Sequence, residues 1–214
     1  RMSSEITSLE QPLDVMFLIH KALRAEAVRT EKAVVDLEDG SSLQTFKLAF
    51  NSWATALLYH AEAEMGADMG MREESEDGEA ELSVRVKMAL LAQEDAEHEE
   101  LVEQVQEVLT VLDEDIGATS IITRTKQHLY RQVVSLRITQ EDHLESEEAL
   151  VLPMVRQRLT EEQQLTVARA LLIDDQADDP RWIVDWVTRD LSSGEQKLLA
   201  DLEARFNGSV PSDG

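Results

Sequence analysis

The chain has 214 residues, with 44 acidic, 20 basic and five histidine side chains, no cysteine, and a formal net charge of −24. The lack of cysteine excludes disulfides, thiolate zinc sites, iron–sulfur clusters and cysteine nucleophiles, and the acidic excess argues against nucleic acid or an anionic membrane surface as a partner. Because no apolar run approaches the roughly 20 residues of a membrane-spanning helix, we expect a cytoplasmic protein.

The predicted secondary structure is helical. The chain has only 8 glycines and 4 prolines, and its apolar residues recur every three or four positions. Four long helices are predicted, over about 12–38, 42–65, 79–113 and 120–153. Short turns join the first two helices and the last two, and an acidic loop over 66–78 joins the pairs. This pattern predicts an all-α fold, an up-down-up-down four-helix bundle over residues 12–158.

Additional helices are predicted in a C-terminal extension, residues 159–206, that packs on the bundle. The first of these helices begins at a capping box, Thr160–Gln163, and ends at an acidic segment, 174–180. A short helix with Trp182 and Trp186 on one face follows. The last helix begins at Ser193–Gln196. The Trp182 and Trp186 face is expected to pack on the bundle. The tail, residues 207–214, is rich in Gly, Ser and Pro and is expected to be disordered.

Polar residues interrupt the core-facing stripe of every long helix. On the second helix the steps of three and four run through Leu43, Phe46, Phe50, Trp53, Leu57, His60 and Glu64. The other three helices place His20, His98 and the pair His143 and Glu147 at equivalent positions. Burying such a group without a partner costs roughly 2–7 kcal/mol. Six of them therefore predict that these side chains satisfy one another or a shared cation.

The candidate ligands are also predicted to share one level of the bundle. His20 and His60 each lie about 20 residues from the first turn, and His98 and His143 lie about 20 and 24 residues from the second. At 1.5 Å per residue, this mismatch is only about 6 Å. Imidazole and carboxylate are ligands for Fe, Mn, Zn or Cu. Four histidines and two glutamates able to bridge predict a dinuclear centre.

Other polar residues test this hypothesis. A single histidine is more often a packed or surface residue than a ligand, so the prediction rests on the agreement of stripe, level and spacing. His128 lies fifteen residues before His143, about 22 Å along the helix, and is expected to be a surface or packing residue outside the site. Glu148 is expected to be solvated. Glu94, one turn before His98, is left open as a further ligand, a partner of a ligand histidine or a solvated residue.

The segment from His143 to Pro153, His-Leu-Glu-Ser-Glu-Glu-Ala-Leu-Val-Leu-Pro, resembles the fourth-helix signature of the hemerythrin-like, or HHE cation-binding, family. Phe17-Leu-Ile-His20-Lys-Ala-Leu-Arg24 is similar to the first-helix motif, particularly that of hemerythrin domains in plant iron-regulated ubiquitin ligases. The resemblance covers residues 12–158, and the segment from Leu159 to Trp186 is similar to the region C-terminal to those domains.

The resemblance implies a non-haem di-iron centre with an oxo or hydroxo bridge between the ions, and dioxygen or a related small oxidant as partner. Its terminal ligands would be His20, His60, His98 and His143, and its bridging ligands Glu64 and Glu147. Manganese or zinc would fit the same ligand types. The resemblance implies no cofactor other than the metal, and it does not assign a catalytic residue.

Three departures from the family pattern qualify these expectations. Glu94 stands where oxygen-carrying members have the first of two histidines, so the richer carboxylate set indicates an iron- or oxygen-responsive member instead of an oxygen carrier. Glu64 is followed by Met-Gly-Ala-Asp in place of an apolar-Pro exit, so the second helix is expected to end early or adapt locally. Without cysteine, no RING or zinc-finger module is expected in this chain.

Three functions remain open from the sequence. The first is a metal-binding protein that reacts with or senses oxygen or a related oxidant, because buried ligands couple metal binding to folding. The second is a di-iron oxidase, peroxidase or catalase-like enzyme, or a ferroxidase, although no substrate pocket is recognisable. The third is a metal-free helical interaction domain that uses its acidic surface or its C-terminal tryptophans.

Overall fold

The computed structural model describes the chain over residues 4–38, 42–67, 81–114 and 123–207, and within these helices it leaves out the side chains of 65–67, 81–92, 94, 113–114, 123 and 207. The described residues are mostly helical and contain no β-strand, so the all-α prediction is confirmed. The up-down-up-down order stays a prediction, as do the domain boundaries. The predicted acidic loop, the start of the fourth helix and the disordered tail fall mainly on residues outside the description.

The first half of the chain forms three long helices. A 3-10 turn, Pro12–Asp14, leads into α1, Val15–Val35, and is followed by α2, Gln44–Ala67, and α3, Glu81–Glu114. Proline favours a first helical turn because its fixed backbone angle suits the helix and its missing N–H is not needed there. The Asp14 carboxylate adds a cap, since it accepts a 3.0 Å hydrogen bond from the Gln11 backbone N–H.

The fourth predicted helix contains a feature that the sequence pattern did not predict. It is divided into α4, Thr123–Ser146, a π-helical turn, Glu147–Val151, and α5, Leu152–Arg158. A π turn uses i→i+5 hydrogen bonds, and such turns occur mostly as single bulges within α-helices, often at functional sites. Here it begins at a predicted metal ligand, Glu147, which is 1% exposed.

The C-terminal helices are α6, Glu161–Leu172, α7, Trp182–Thr188, and α8, Ser193–Asn207. The predicted capping box of α6 is confirmed, because Thr160 Oγ1 accepts from the Gln163 N–H at 3.2 Å and Gln163 Oε1 accepts from the Thr160 N–H at 2.9 Å. The box at α8 lies one residue earlier than predicted. Ser192 Oγ accepts from the Glu195 N–H, and Glu195 Oε1 accepts from the Ser192 N–H.

The chain forms two compact units, of which the first comprises residues 1–22, 62–84 and 146–214. In this unit α6 contacts both the 3-10 turn and α8. Gln164 on α6 is buried, and its Oε1 accepts from the Leu13 N–H at 3.3 Å while its Nε2 donates to Gln11 at 2.7 Å. Apolar side chains of α5 to α8 complete its core, among them Val155, Ala168, Leu172, Val187, Leu199 and Phe206.

The second unit comprises residues 23–61 and 85–145. Its core contains the aromatic series Phe46, Phe50 and Trp53 on α2, all fully buried. The Phe46 and Phe50 ring centroids lie 6.0 Å apart, and Trp53 packs edge-on to Phe50. The Trp53 indole N–H donates to Gln140 Oε1 at 2.8 Å, so the polar tip of this side chain is satisfied inside the core. Across the described ranges of both units, no helix has the length and apolarity to cross a membrane.

Candidate metal centre

The six side chains that the sequence predicts as ligands are all buried. Their relative exposures are at most 4%, in the order His20 0%, His60 3%, Glu64 4%, His98 4%, His143 1% and Glu147 1%. They come from α1, α2, α3 and the continuous segment of α4 and the π turn. Buried charged or polar groups at this density require partners or a cation, because desolvation otherwise penalises each of them.

Their ligand atoms lie close together in two groups. One atom each from His20, His60, Glu64 and Glu147 fall within 4.8 Å of one another. One atom each from Glu64, His98 and His143 satisfy the same criterion, so Glu64 belongs to both groups. The buried His and Glu side chains could therefore hold a metal ion, as the sequence predicts. Nitrogen and oxygen donors of these types fit iron, manganese or zinc.

In the first unit, the geometry centres on His20. Its Nε2 lies 2.9 Å from Glu147 Oε1, and its Nδ1 lies 3.5 Å from Glu148 Oε1. Glu148 was expected to be solvated, but only 18% of its side chain is exposed. The physical reason is local: Glu148 lies in the π turn, which departs from the α-helical periodicity used for that expectation.

In the second unit, His98 and His143 face each other edge to face, with ring centroids 4.9 Å apart and an interplanar angle of 68°. His143 Nδ1 lies 2.7 Å from Glu97 Oε2. The hydrogen bond with His143 lowers the pKa of Glu97 below its ordinary value, and it outweighs the opposing effect of burial. Gln93 assists by donating from Nε2 to Glu97 Oε1 at 3.1 Å.

The sequence did not predict Glu97 or Glu148 as part of the site. Both lie off the apolar stripe, and glutamates are abundant in a chain with 44 acidic residues. The available signal was adjacency, because Glu97 directly precedes the predicted ligand His98, and Glu148 directly follows Glu147. Carboxylates that hydrogen-bond to ligand histidines are typical of metal sites.

Two further sequence expectations have different outcomes. His128 on α4 is exposed, which agrees with the first of its two alternatives, a surface residue, and not with the second, a packing residue. The side chain of Glu94 lies outside the described residues. The three alternatives for it (a further ligand, a partner of a ligand histidine, or a solvated residue) therefore stay open.

No protein-family model, curated protein or solved structure matches the chain. The resemblance to the hemerythrin-like family consequently stays a hypothesis, carried by the motifs around His20 and His143.

Proposed function

We propose that this chain is a hemerythrin-like protein that binds two iron ions and responds to dioxygen or a related small oxidant. The observation that carries the proposal is the presence of Glu64 in both groups of buried ligand atoms. A carboxylate has two oxygens and can bind two ions at once. Glu64 would therefore be a bridging ligand.

The other residues would have the roles that the family resemblance implies. His20 and His60 would be terminal ligands of one ion, and His98 and His143 of the other. Glu147 would be a second bridge, and its position in the first group, with its 2.9 Å approach to His20 Nε2, supports its role as a ligand. Iron bound here would supply redox chemistry with small oxidants.

A responsive role is favoured over turnover because the ligands are buried and come from different helices. Metal binding at such a site contributes directly to folding free energy. A change in the oxidation state of the ions would change how strongly the ligands hold these helices. The chain would then differ in stability before and after exposure to an oxidant.

The first experiment measures iron per chain in wild type, His143→Ala and His128→Ala. Both histidines lie on α4, but His143 is buried at the site whereas His128 is exposed. We expect two irons per chain in wild type and His128→Ala, and less than half as much in His143→Ala. Equal iron content in all three proteins would contradict the proposal and favour a metal-free interaction domain.

The second experiment tests the response to oxidant. Ferrous protein is prepared without oxygen, and its thermal unfolding is compared before and after exposure to air, with His143→Ala as the control. We expect the midpoint to change in wild type and not in the variant. Sustained peroxide disproportionation with an unchanged midpoint would instead favour the catalase-like enzyme.

A further inference from the structure

The hydrogen bond between His143 and Glu97 specifies which nitrogen of the His143 ring carries a proton. Oε2 of Glu97 lies 2.7 Å from Nδ1, within normal hydrogen-bond distance. An ionised carboxylate only accepts hydrogen bonds, so the ring nitrogen that faces it must be the donor. A neutral imidazole has one N–H, and Nε2 is then left with its lone pair.

Glu97 is more exposed than the His143 ring that it contacts, and it is held by a second hydrogen bond. Only 1% of the His143 side chain is exposed, whereas 20% of the Glu97 side chain is exposed. The Glu97 carboxylate is held on its other oxygen by Gln93, which donates from Nε2 at 3.1 Å. The Nδ1 side of His143 thus faces a carboxylate that is itself fixed in position.

We propose that Glu97 is a positioning residue that holds His143 in the Nδ1–H tautomer, so that Nε2 is the atom offered to a metal. The metal-binding part of this inference rests on the proposed function, whereas the tautomer does not. A carboxylate in this role also makes Nε2 a more basic ligand for a metal, because it accepts a hydrogen bond from the Nδ1–H group on the other side of the ring.

Glu148 provides an internal comparison. It faces Nδ1 of His20, but at 3.5 Å, and Nε2 of His20 lies 2.9 Å from Glu147. A contact of 3.5 Å is at the limit of a hydrogen bond, so it constrains the ring less than the 2.7 Å contact of Glu97. The geometry therefore ranks the two residues, with Glu97 having the larger effect on its histidine.

The tautomer is tested by ¹⁵N–¹H correlation spectra of the histidine rings in metal-free protein near pH 8. The proteins are wild type, Glu97→Ala, Glu97→Gln and the control Glu99→Ala, since Glu99 is exposed on the same helix. His143 resonances are identified by their absence in His143→Ala. We expect the Nδ1–H form in wild type, Glu97→Gln and the control, and a shift toward Nε2–H in Glu97→Ala.

The wild-type spectrum alone can overturn the proposal, because an Nε2–H ring at His143 contradicts it whether or not any variant folds. An Nδ1–H ring that persists unchanged in folded Glu97→Ala also contradicts it.

The consequence for metal binding is measured with Co²⁺ as a visible probe. We expect Glu97→Ala to lose 10–100-fold in Co²⁺ affinity. Glu148→Ala should lose less, and Glu99→Ala should bind as wild type does. Equal affinity of Glu97→Ala and wild type would overturn the positioning role. Failure of wild type to bind Co²⁺ or iron would contradict the proposed function, while the spectra would still decide the tautomer.

Discussion

The ammonium nitrogen of Lys21 lies 2.6 Å from Oε1 of Glu195 and 2.8 Å from Oε2, and the Glu195 carboxylate is completely buried. The same carboxylate accepts from the backbone N–H of Ile6 at 3.0 Å and of Ser192 at 2.9 Å. One side chain at the start of α8 thus contacts both the N-terminal segment near residue 6, which has no regular secondary structure, and the residue of α1 that follows His20.

We expect Glu195→Gln to reduce the free energy of unfolding by about 1–3 kcal/mol, because a neutral amide cannot replace a buried charge-assisted acceptor. Urea denaturation of the variant and wild type measures this difference. Glu203→Gln is the matched control on α8. Glu203 pairs with Arg181, which is 53% exposed, and such surface pairs contribute about 0–1 kcal/mol. Equal effects at the two positions would contradict the importance of burial.

The pH dependence of stability should reflect the same carboxylate. Burial raises the pKa of Glu195, but Lys21 and the Ser192 and Ile6 N–H groups outweigh it, leaving the pKa below its ordinary value of 4.5. A lowered pKa in the folded state stabilises the protein above the unfolded-state pKa, and this stabilisation is lost as pH falls through the folded-state pKa.

The difference in melting temperature between wild type and Glu195→Gln should therefore be largest near pH 7 and should close below pH 4.5. Circular dichroism melts across this range measure it. A difference that is constant with pH would show that the substitution acts through packing alone.

The buried pair of Trp53 and Gln140 gives a third prediction. Gln140 is 1% exposed, accepts from the indole at 2.8 Å, and donates to the Leu23 carbonyl at 3.4 Å. Trp53→Phe leaves the Gln140 oxygen without its indole donor, which we expect to cost about 1–3 kcal/mol in addition to the loss of packing.

A double-mutant cycle separates the hydrogen bond from the packing. Trp53→Phe, Gln140→Leu and the double variant are compared by urea denaturation. The sum of the free-energy costs of the two single substitutions should exceed the cost of the double substitution by about 0.5–3 kcal/mol, as is usual for side chains in direct contact. Additive costs would show that the indole and the amide do not interact.

Removal of metal should lower the thermal stability of the wild-type protein. A ligand present at 1,000 times its dissociation constant stabilises a fold by about 4 kcal/mol, which for a chain of this size corresponds to about 8–16 °C. Calorimetry of iron-loaded and chelated protein measures the shift. His143→Ala should show little shift under the same treatment. Identical melting temperatures for loaded and chelated wild type would contradict coupling between metal binding and folding.

The burial of the six candidate ligands could be predicted because helical periodicity converts residue spacing into a face. His60 and Glu64 follow five large apolar residues in the same register, so their direction could be inferred before any contact was known. The hydrogen-bond partners of these side chains could not be inferred in this way. Glu97 contacts His143, 46 residues away in the sequence. Periodicity along one helix does not specify which glutamate outside the apolar stripe contacts a residue of a different helix.

Helix caps were predicted correctly where one sequence pattern dominated and less well where two competed. Thr160 has a single matching residue at Gln163. At α8 two serines are adjacent, and the structure uses Ser192 with Glu195 because that carboxylate also accepts from Lys21 and Ile6. Tertiary contacts therefore selected between two local alternatives that the sequence left close to equal.

The π turn at Glu147–Val151 has a consequence for the recognition of relatives. A π turn is equivalent to one extra residue inside an α-helix, here between the candidate ligand Glu147 and Pro153. A homologue without that residue would match this chain only if the alignment opened a gap of one position within the helix.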